Sequence, residues 1–301
     1  MTVLIAGATG LVGKEIVKQC HSKGISVHYL TTSKSKLSNE DNYKGFYWDP
    51  TQNEIDHKCF KDVTAIINLA GASISKRWTE TYKKEILESR TKTAQLLQHT
   101  IKKHNYKIEH VVSASAIGIY PTSVTNYYDE SNSAISDSFL GQVVKQWENA
   151  VDGFKTLGCK VAKIRIGLVL AKNGGALPKI VQPIKFGAGA AFGTGTQWQS
   201  WIHVKDLASL FVFVLQNNLE GIYNGVAPNP VTNKVLTKTA AKVLSKPLLL
   251  PNIPKFAMQF VLGEMHILLF ESQNVSSQKI EANGFEFNYA NLKPALEHLL
   301  V

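Results

Sequence analysis

Three glycines near the start of the chain have the spacing of a phosphate-binding turn. Gly7, Gly10 and Gly13 follow the apolar run Val3–Ala6 and precede an amphipathic segment, so a strand, a turn and a helix are predicted in that order. In such a turn the first glycine permits the bend, the second lets a diphosphate approach the backbone, and the third lets the helix pack against the strand.

This glycine turn, Gly7–Gly13, predicts a dinucleotide such as NAD(P)(H), because free N–H groups at a helix N-terminus attract phosphates. We expect the diphosphate to contact the whole turn, which consists of Gly7, Ala8, Thr9, Gly10, Leu11, Val12 and Gly13. The alternative is a strand–turn–helix unit without a ligand, but the position directly after an N-terminal strand favours the dinucleotide.

The segment after the second predicted strand distinguishes NADP from NAD. An acidic side chain there would bind the ribose 2′-hydroxyl of NAD and repel a 2′-phosphate. The chain instead has Thr31, Thr32 and Lys34 in a run without carboxylates. Hydroxyl groups and a lysine suit a 2′-phosphate, so we expect NADP, with these three residues as contacts. A solvated loop is the alternative.

A second turn, Asn68–Gly71, follows the fourth predicted strand. Ligands of open α/β sheets bind at the carboxyl ends of the strands, where small residues let a cofactor approach the backbone. We therefore expect Leu69, Ala70 and Gly71 to contact the adenosine side of the cofactor. An ordinary strand-to-loop turn is the alternative.

These turns need a sheet that brings the strand ends together, and the hydrophobic pattern predicts one. Strands alternate with helices, which is typical of a parallel sheet with right-handed crossovers. The predicted strands are 2–6, 26–31, 46–48, 64–69, 109–114, 160–166, 201–203 and 221–224, and the predicted helices are 11–23, 80–104, 139–156, 204–215, 232–244, 254–262 and 276–283. The expected fold class is α/β, a Rossmann-type doubly wound parallel sheet with a small, mainly helical C-terminal lobe.

Glycine-rich stretches and prolines suggest how the chain is divided. Residues 173–175 and 187–195 are rich in glycine and are predicted as loops. We expect a dinucleotide-binding domain at 1–224, with part of 170–200 facing the cleft, and a small substrate lobe at 225–301.

The composition argues against several classes of protein. No apolar stretch reaches the roughly 18 residues of a membrane span, and three widely spaced cysteines form neither a disulfide framework nor a metal site. The formal net charge of +10 comes from dispersed lysines, which favours an anionic cofactor over nucleic acid. We expect a cytoplasmic protein with reduced thiols and a small-molecule partner, and no nucleic acid, membrane or metal. The oligomeric state stays open, with a homodimer as one candidate.

Motifs along almost the whole chain resemble the extended or atypical branch of the short-chain dehydrogenase/reductase superfamily. Within it, they are most similar to NAD(P)-dependent epimerase-like proteins often labelled cell-division-inhibitor-like. The matching segments are Gly7–Gly13, Asn68–Gly71, Lys76–Trp78, Glu85–Arg90, Trp147–Glu148, Arg165–Leu170, Gly174–Gly175, Trp201–Asp206 and Asn224–Pro228.

The resemblance implies an NADP-binding Rossmann domain with a small lobe over the substrate cleft. It also implies cofactor contacts from Glu85 and Arg90 on the long helix and from Val169 after the sixth strand. Members of the family usually carry an arginine where this chain has Thr32, so one contact to a 2′-phosphate is weaker here.

Enzymes of this superfamily typically move protons with a serine and a Tyr-x-x-x-Lys pair. By resemblance, Ser115 matches the serine, but Leu140 and Val144 stand where the tyrosine and the lysine are expected. Tyr120 is the best substitute acid, so we predict Ser115 and Tyr120 as the catalytic residues. The alternatives are a strand-end hydroxyl that bonds to the backbone and an aromatic ring packed under a loop.

Two functions follow from these residues. The first is an NADP(H)-binding oxidoreductase or epimerase acting on a small polar, sugar-like molecule, for which the protein positions the substrate and moves a proton. The second is a non-catalytic NADP(H)-binding sensor or regulator, which the missing tyrosine and lysine favour. His203 and Asp206, at a strand–helix junction, are expected to have structural roles, Asp206 by capping the helix.

Overall fold

The computed structural model describes all 301 residues, and it alternates strands and helices before ending in mostly helical structure. The strands are β1 (Thr2–Ala6), β2 (Ser26–Thr31), β3 (Asn39–Glu40), β4 (Tyr43–Asp49), β5 (Glu54–Ile55), β6 (Val63–Asn68), β7 (His110–Ala116), β8 (Tyr127–Tyr128), β9 (Lys160–Ile166), β10 (Leu168–Ala171), β11 (Gly174–Gly175), β12 (Trp198–Gln199), β13 (Trp201–His203), β14 (Gly221–Gly225), β15 (Val231–Thr232) and β16 (Asn274–Val275). The helices are α1 (Leu11–Ser22), α2 (Glu80–His104), α3 (Phe139–Asp152), α4 (Leu177–Lys185), α5 (Val204–Gln216), α6 (Asn233–Val243), α7 (Lys255–Leu262), α8 (Ile267–Phe270), α9 (Gln278–Ala282) and α10 (Leu292–Leu300).

The predicted parallel sheet is confirmed. Its strands lie in the order β14-β9-β7-β6-β1-β2-β4-β3, with β5 paired to β4. From β4 to β14 all neighbouring strands are parallel, and only the short β3 and β5 run antiparallel. Because β1 lies between β2 and β6, the strand order reverses at β1, and ligands bind at such a reversal.

The sheet is covered on both faces, as the apolar sequence of its strands requires. Val3, Leu4, Ile5 and Ala6 of β1 have no exposed surface, which is typical of a strand between two helix layers. Helix α1 packs against α5, and α2 packs against α3. The long α2 has the predicted bounds because Thr79 caps its first turn through a hydrogen bond from the Tyr82 N–H.

A second, smaller core joins α4, α6 and α10. It contains Leu236 and Leu296 from the C-terminal region together with Leu170 and Trp201 from earlier in the chain. Ile280, by contrast, belongs to the main core beneath the sheet. The packing therefore crosses residue 225 in both directions, and the division of the chain at that residue stays a prediction.

Two helices of this second core are absent from the sequence-based prediction. Helix α4 has a proline in its first turn, where proline is tolerated, and Pro183 inside it, which opposes a helix in a sequence pattern. Its buried Leu177 and Val181 are nevertheless one helical turn apart. Helix α10 buries Leu292 and Leu296 in the same way. Packing of these leucines in the second core, rather than a local signal, explains both helices.

Other expectations from composition can be compared with the structure. All three cysteines are buried and unpaired, as predicted. None of the helices is both long enough and apolar enough to span a membrane. No group of three or more His, Cys, Asp or Glu side chains is arranged to hold a metal ion.

Candidate functional site

The glycine turn joins β1 to α1 with little space around its backbone. Gly7 has a φ of +90°, which side chains rarely permit, and its carbonyl accepts a hydrogen bond from the Gly10 N–H at 3.0 Å. A Cβ on Gly13 would lie 2.2 Å from the Gly7 oxygen, so only glycine fits there. A Cβ on Gly10 would meet that oxygen alone, at 3.2 Å. Gly10 is exposed, and its open side is where a diphosphate can approach.

The N-terminus of α1 is free to bind an anion. Gly10 caps the helix and provides no side-chain hydrogen bond. The first backbone bond runs from the Lys14 N–H to the Gly10 carbonyl, so the N–H groups of Leu11, Val12 and Gly13 have no backbone acceptor. These oriented donors and the helix dipole fit the diphosphate of a dinucleotide.

The end of β2 presents hydroxyl groups and a cation. Thr31 is buried, and its Oγ1 accepts a hydrogen bond from the Ser33 N–H at 3.2 Å, while Thr32 is exposed beside it. The Nζ of Lys34 lies 5.1 Å from the centre of the Tyr47 ring, and no carboxylate forms an ion pair with it. An ammonium held at the strand end without a counter-ion fits a 2′-phosphate.

The loop after β6 lies against the glycine turn. A Cβ built on Gly7 would be 3.1 Å from the Cβ of Leu69. Asn68 is fully buried, and its Oδ1 accepts a hydrogen bond from the Ala70 N–H at 3.3 Å, but its Nδ2 has no partner in the protein. Because an unpaired buried donor costs about 1–3 kcal/mol, a ligand acceptor at this strand end would stabilise the site.

Arg90 connects this loop to the interior. Its Nη1 donates to the Ile86 carbonyl at 2.8 Å and its Nη2 to the Ala72 carbonyl at 3.2 Å, and its Cζ lies 5.1 Å from the centre of the Trp147 ring. A Cβ on Gly71 would lie 3.1 Å from that Cζ, so glycine leaves room for the guanidinium. Burial lowers the pKa of Arg90 to about 10, which still leaves it a cation at neutral pH.

Glu85 and Val169, the other two cofactor contacts implied by the resemblance, lie in different places relative to the glycine turn. Glu85 is exposed on α2 and lies five residues before Arg90, which places it about 140° around the helix. The structure therefore does not bring Glu85 to the face that carries Arg90. Val169 does lie beside the glycine turn: a Cβ built on Gly175 would be 3.1 Å from the Val169 oxygen and 3.4 Å from Cδ2 of Leu11. Gly175, predicted in a loop, instead belongs to β11.

A cavity lies at the carboxyl ends of β7 and β9, on the sheet edge that carries the glycine turn. Its volume is about 200 Å³, and it is open to solvent on one side. Leu140 and Val144, which stand where the resemblance expects a tyrosine and a lysine, both line it. Hydrophobic residues make up 11 of its 18 lining residues. Mostly apolar walls with a few polar groups are usual for small-molecule sites, and this lining can hold the apolar body of a substrate.

Only two charged side chains line the cavity, Arg90 and Glu271. Burial raises the pKa of the Glu271 carboxyl, although hydrogen bonds from Gln273 and Ser138 oppose the rise. Trp147 also lines the cavity, and its Nε1 has no acceptor in the protein. Glu271 is not among the residues predicted from the sequence, where its one signal is an acidic residue directly after an apolar run.

Ser115 and Tyr120 lie close together, but in a buried polar network. Ser115 Oγ donates to Glu148 Oε1 at 2.6 Å, and the Tyr120 hydroxyl donates to Asn224 Oδ1 at 2.9 Å. Arg165 joins the two: it donates to the Tyr120 hydroxyl at 3.0 Å and to both oxygens of Glu148 at 2.9 and 3.1 Å. All of these side chains are buried.

This network places both hydroxyls outside the cavity lining, whereas an acid that acts on a substrate would have to face it. Burial raises the pKa of Tyr120, although Arg165 opposes the rise, whereas a tyrosine that exchanges protons at neutral pH needs a lowered pKa. The hydroxyl of Ser115 donates its hydrogen bond to the carboxylate of Glu148. Their role in proton transfer stays a prediction, and the geometry shows that they tie α3 and β14 to the strands between them.

His203 and Asp206 both have structural roles, but the expectation that Asp206 caps α5 is wrong, because His203 is the capping residue. The Nδ1 of His203 accepts a hydrogen bond from the Lys205 N–H at 3.1 Å and so caps α5. The Asp206 carboxylate accepts hydrogen bonds from the backbone N–H groups of Asn288 and Tyr289, at 3.2 and 2.8 Å. Both residues attach the C-terminal region to the start of α5.

Comparison with known proteins finds relatives along the full length of the chain. An epimerase family protein from Staphylococcus haemolyticus is 35% identical over 300 residues, which are 99% of this chain and 98% of the relative. A crystal structure of the human epimerase family protein SDR39U1 (isoform 2) with NADPH has a TM-score of 0.84 and 29% identity, and covers 99% of both chains. A nucleoside-diphosphate sugar epimerase from Corynebacterium glutamicum has a TM-score of 0.79 and 27% identity, and the match covers 100% of this chain and 58% of that one.

Two family descriptions match the chain itself. Residues 253–299 match a domain of unknown function, DUF1731, in the region that carries α7 to α10. Residues 3–225 match the NAD dependent epimerase/dehydratase family, and this region contains the glycine turn and the whole parallel sheet. The chain therefore belongs to the NAD dependent epimerase/dehydratase family.

Proposed function

We propose that this protein is an NADP(H)-dependent oxidoreductase or epimerase that acts on a small carbonyl or alcohol compound with an apolar body. The observation that carries the proposal is the contact between Gly71 and Arg90. Gly71 belongs to the loop beside the glycine turn, and Arg90 lines the cavity. A dinucleotide bound at the sheet edge would therefore reach the cavity where a substrate fits.

The residues at this edge suit NADP(H) in particular. The backbone N–H groups of Leu11, Val12 and Gly13 would hold the diphosphate. Thr32 and Lys34, at the end of β2, would hold the 2′-phosphate. The human relative whose structure contains NADPH supports this choice. Bound NADP(H) supplies two-electron redox chemistry, while the protein orients the substrate and excludes water.

A non-catalytic NADP(H)-binding sensor is the second candidate. Leu140 and Val144 in the cavity lining favour it, because neither side chain can exchange a proton or bind a ribose hydroxyl. The two functions share the cofactor site and differ in whether a substrate in the cavity is converted. An oxidoreductase would consume NADPH, whereas an epimerase would regenerate its cofactor within each turnover.

Titration with NADPH and NADH tests the cofactor site that both functions share. Binding is measured by the fluorescence of the five tryptophans and by calorimetry. We expect NADPH to bind more tightly than NADH. Absence of binding contradicts both functions, and a preference for NADH contradicts the 2′-phosphate site alone. Consumption of NADPH with a panel of aromatic aldehydes and 1,2-diketones supports the oxidoreductase, and inversion of a chiral secondary alcohol without net consumption supports the epimerase. Tight NADPH binding with neither conversion favours the sensor.

A further inference from the structure

Reduction of a carbonyl places a proton on its oxygen, so a reductase needs a proton donor in its substrate cavity. Leu140 and Val144 line the cavity at the positions where related enzymes carry the tyrosine and the lysine that transfer this proton. Ser115 and Tyr120 lie outside the lining, with their hydroxyls engaged in the buried network. The donor must therefore come from another part of the chain.

Among the residues that line the cavity, only Arg90 and Glu271 carry ionisable groups that are charged or acidic near neutral pH. Arg90 holds its proton, since its pKa of about 10 is well above neutral. Its N–H groups also bond to backbone carbonyls. The carboxyl of Glu271 is the one group there that can both give and regain a proton, since it exists as an acid and as a carboxylate.

The backbone around Glu271 is firmly held, as a reacting group requires. The N–H of Ser272 donates to Thr122 Oγ1 at 2.9 Å, and its Oγ donates to the Ser123 carbonyl at 2.7 Å. The Oγ of Ser200 donates to the Gln273 carbonyl at 2.8 Å. Three hydrogen bonds to two other segments thus hold the residues after Glu271, and they place its side chain at the cavity wall.

The surroundings of Glu271 disfavour its charged form. Burial raises its pKa, against hydrogen bonds from Gln273 and Ser138 that lower it. Arg90 is the other charged group that faces the same cavity. Trp147 also lines this cavity, beside Arg90.

We propose that Glu271 is the proton donor and acceptor for the substrate in this cavity, and this rests on the proposed NADP(H)-dependent function. In the reducing direction the O–H bond of the Glu271 carboxyl breaks and its proton goes to the carbonyl oxygen. Reduced nicotinamide supplies the two electrons and the hydrogen that the carbonyl carbon gains. The product is an alcohol, and the carboxylate regains its proton from water. In the oxidising direction the carboxylate takes the alcohol proton.

Chemical labelling tests the acid without any turnover. Dicyclohexylcarbodiimide is an apolar reagent that reacts with protonated carboxyl groups. Mass spectrometry of the labelled protein near neutral pH is expected to find the adduct on Glu271, with labelling that falls as the pH rises. Glu264 is the matched control, because its side chain is 59% exposed and is paired with Lys83. Labelling of Glu271 no stronger than that of Glu264 overturns the proposal.

Glu271→Gln and Glu264→Gln, each assayed as the full chain, test the reaction. Glu271→Gln keeps the side-chain shape, so its melting temperature and NADPH affinity are expected to match wild type, while kcat on the carbonyl panel falls by about a hundredfold. The wild-type rate of reduction is expected to fall as pH rises, and this dependence is expected to disappear in Glu271→Gln. Full turnover in Glu271→Gln overturns the role of Glu271 alone. NADPH binding by wild type without turnover on the panel overturns both this role and the enzymatic function, and absence of NADPH binding overturns the cofactor proposal.

Discussion

The hydroxyl of Tyr120 accepts a hydrogen bond from Nη1 of Arg165 at 3.0 Å, in the protein interior and outside the cavity lining. Arg165 is also bonded to both carboxylate oxygens of Glu148, and both side chains are buried. Burial lowers the pKa of Arg165, but hydrogen bonds and charge from Glu148 outweigh it and raise that pKa. Arg165 therefore stays protonated, and Tyr120 supplies one of the hydrogen bonds that a buried guanidinium needs.

Tyr120→Phe is expected to destabilise the fold and leave the cofactor site intact. The change removes the acceptor of Arg165 and the donor to Asn224, which leaves buried polar groups unpaired at a cost of about 1–3 kcal/mol. Urea denaturation and NADPH titration measure the two effects, with the exposed Tyr127→Phe as control. If turnover is lost while stability is kept, Tyr120 acts in proton transfer and its structural role is minor.

The residues expected to bind the cofactor can be predicted from local sequence signals, whereas the residues that line the cavity cannot. Gly7, Gly10 and Gly13 can be identified from one short segment, because the geometry of a single turn requires a small residue at each of these positions. Glu271 reaches the cavity through contacts such as the bond between Ser272 and Thr122, which are 150 residues apart. No local periodicity encodes such a contact. The position of Ser115 at the end of a strand is likewise predictable from the sequence. Its hydrogen bond to Glu148, which lies 33 residues later, is not.

Gly10→Ala and Gly13→Ala form a matched pair that separates binding from folding. A Cβ at residue 13 would overlap the Gly7 oxygen at 2.2 Å, so Gly13→Ala is expected to lower the melting temperature strongly or prevent folding. A Cβ at residue 10 meets that oxygen at 3.2 Å in an otherwise open position. Gly10→Ala is therefore expected to fold like wild type and to lose about tenfold or more in NADPH affinity, since the methyl group occupies the path of the diphosphate. Unchanged NADPH affinity in a folded Gly10→Ala protein would place the diphosphate elsewhere.

Lys34→Ala is expected to weaken NADPH binding and to leave NADH binding unchanged. The ammonium of Lys34 lies over the Tyr47 ring at the end of β2, where the 2′-phosphate distinguishes the two cofactors. The loss in NADPH affinity is expected to be about tenfold and to shrink at high salt, because the group is exposed and screened. Lys36→Ala, in the same short segment, is the control. Equal losses for both cofactors, or for both variants, would count against a specific 2′-phosphate contact.

Stability is expected to fall as pH drops from about 6.5 toward 4 because of His203. Burial, followed by the charges of His298 and Lys205, lowers the pKa of His203 from 6.5 to about 4 in the folded chain. Between these values the unfolded chain binds the proton and the folded chain does not, so the free energy of unfolding decreases with falling pH, by about 3 kcal/mol in total. His203→Asn keeps a capping acceptor without titrating in this range. Urea denaturation of both proteins at several pH values measures the difference. We expect a shallower pH dependence for His203→Asn than for wild type, and parallel curves would show that His203 is not the group responsible.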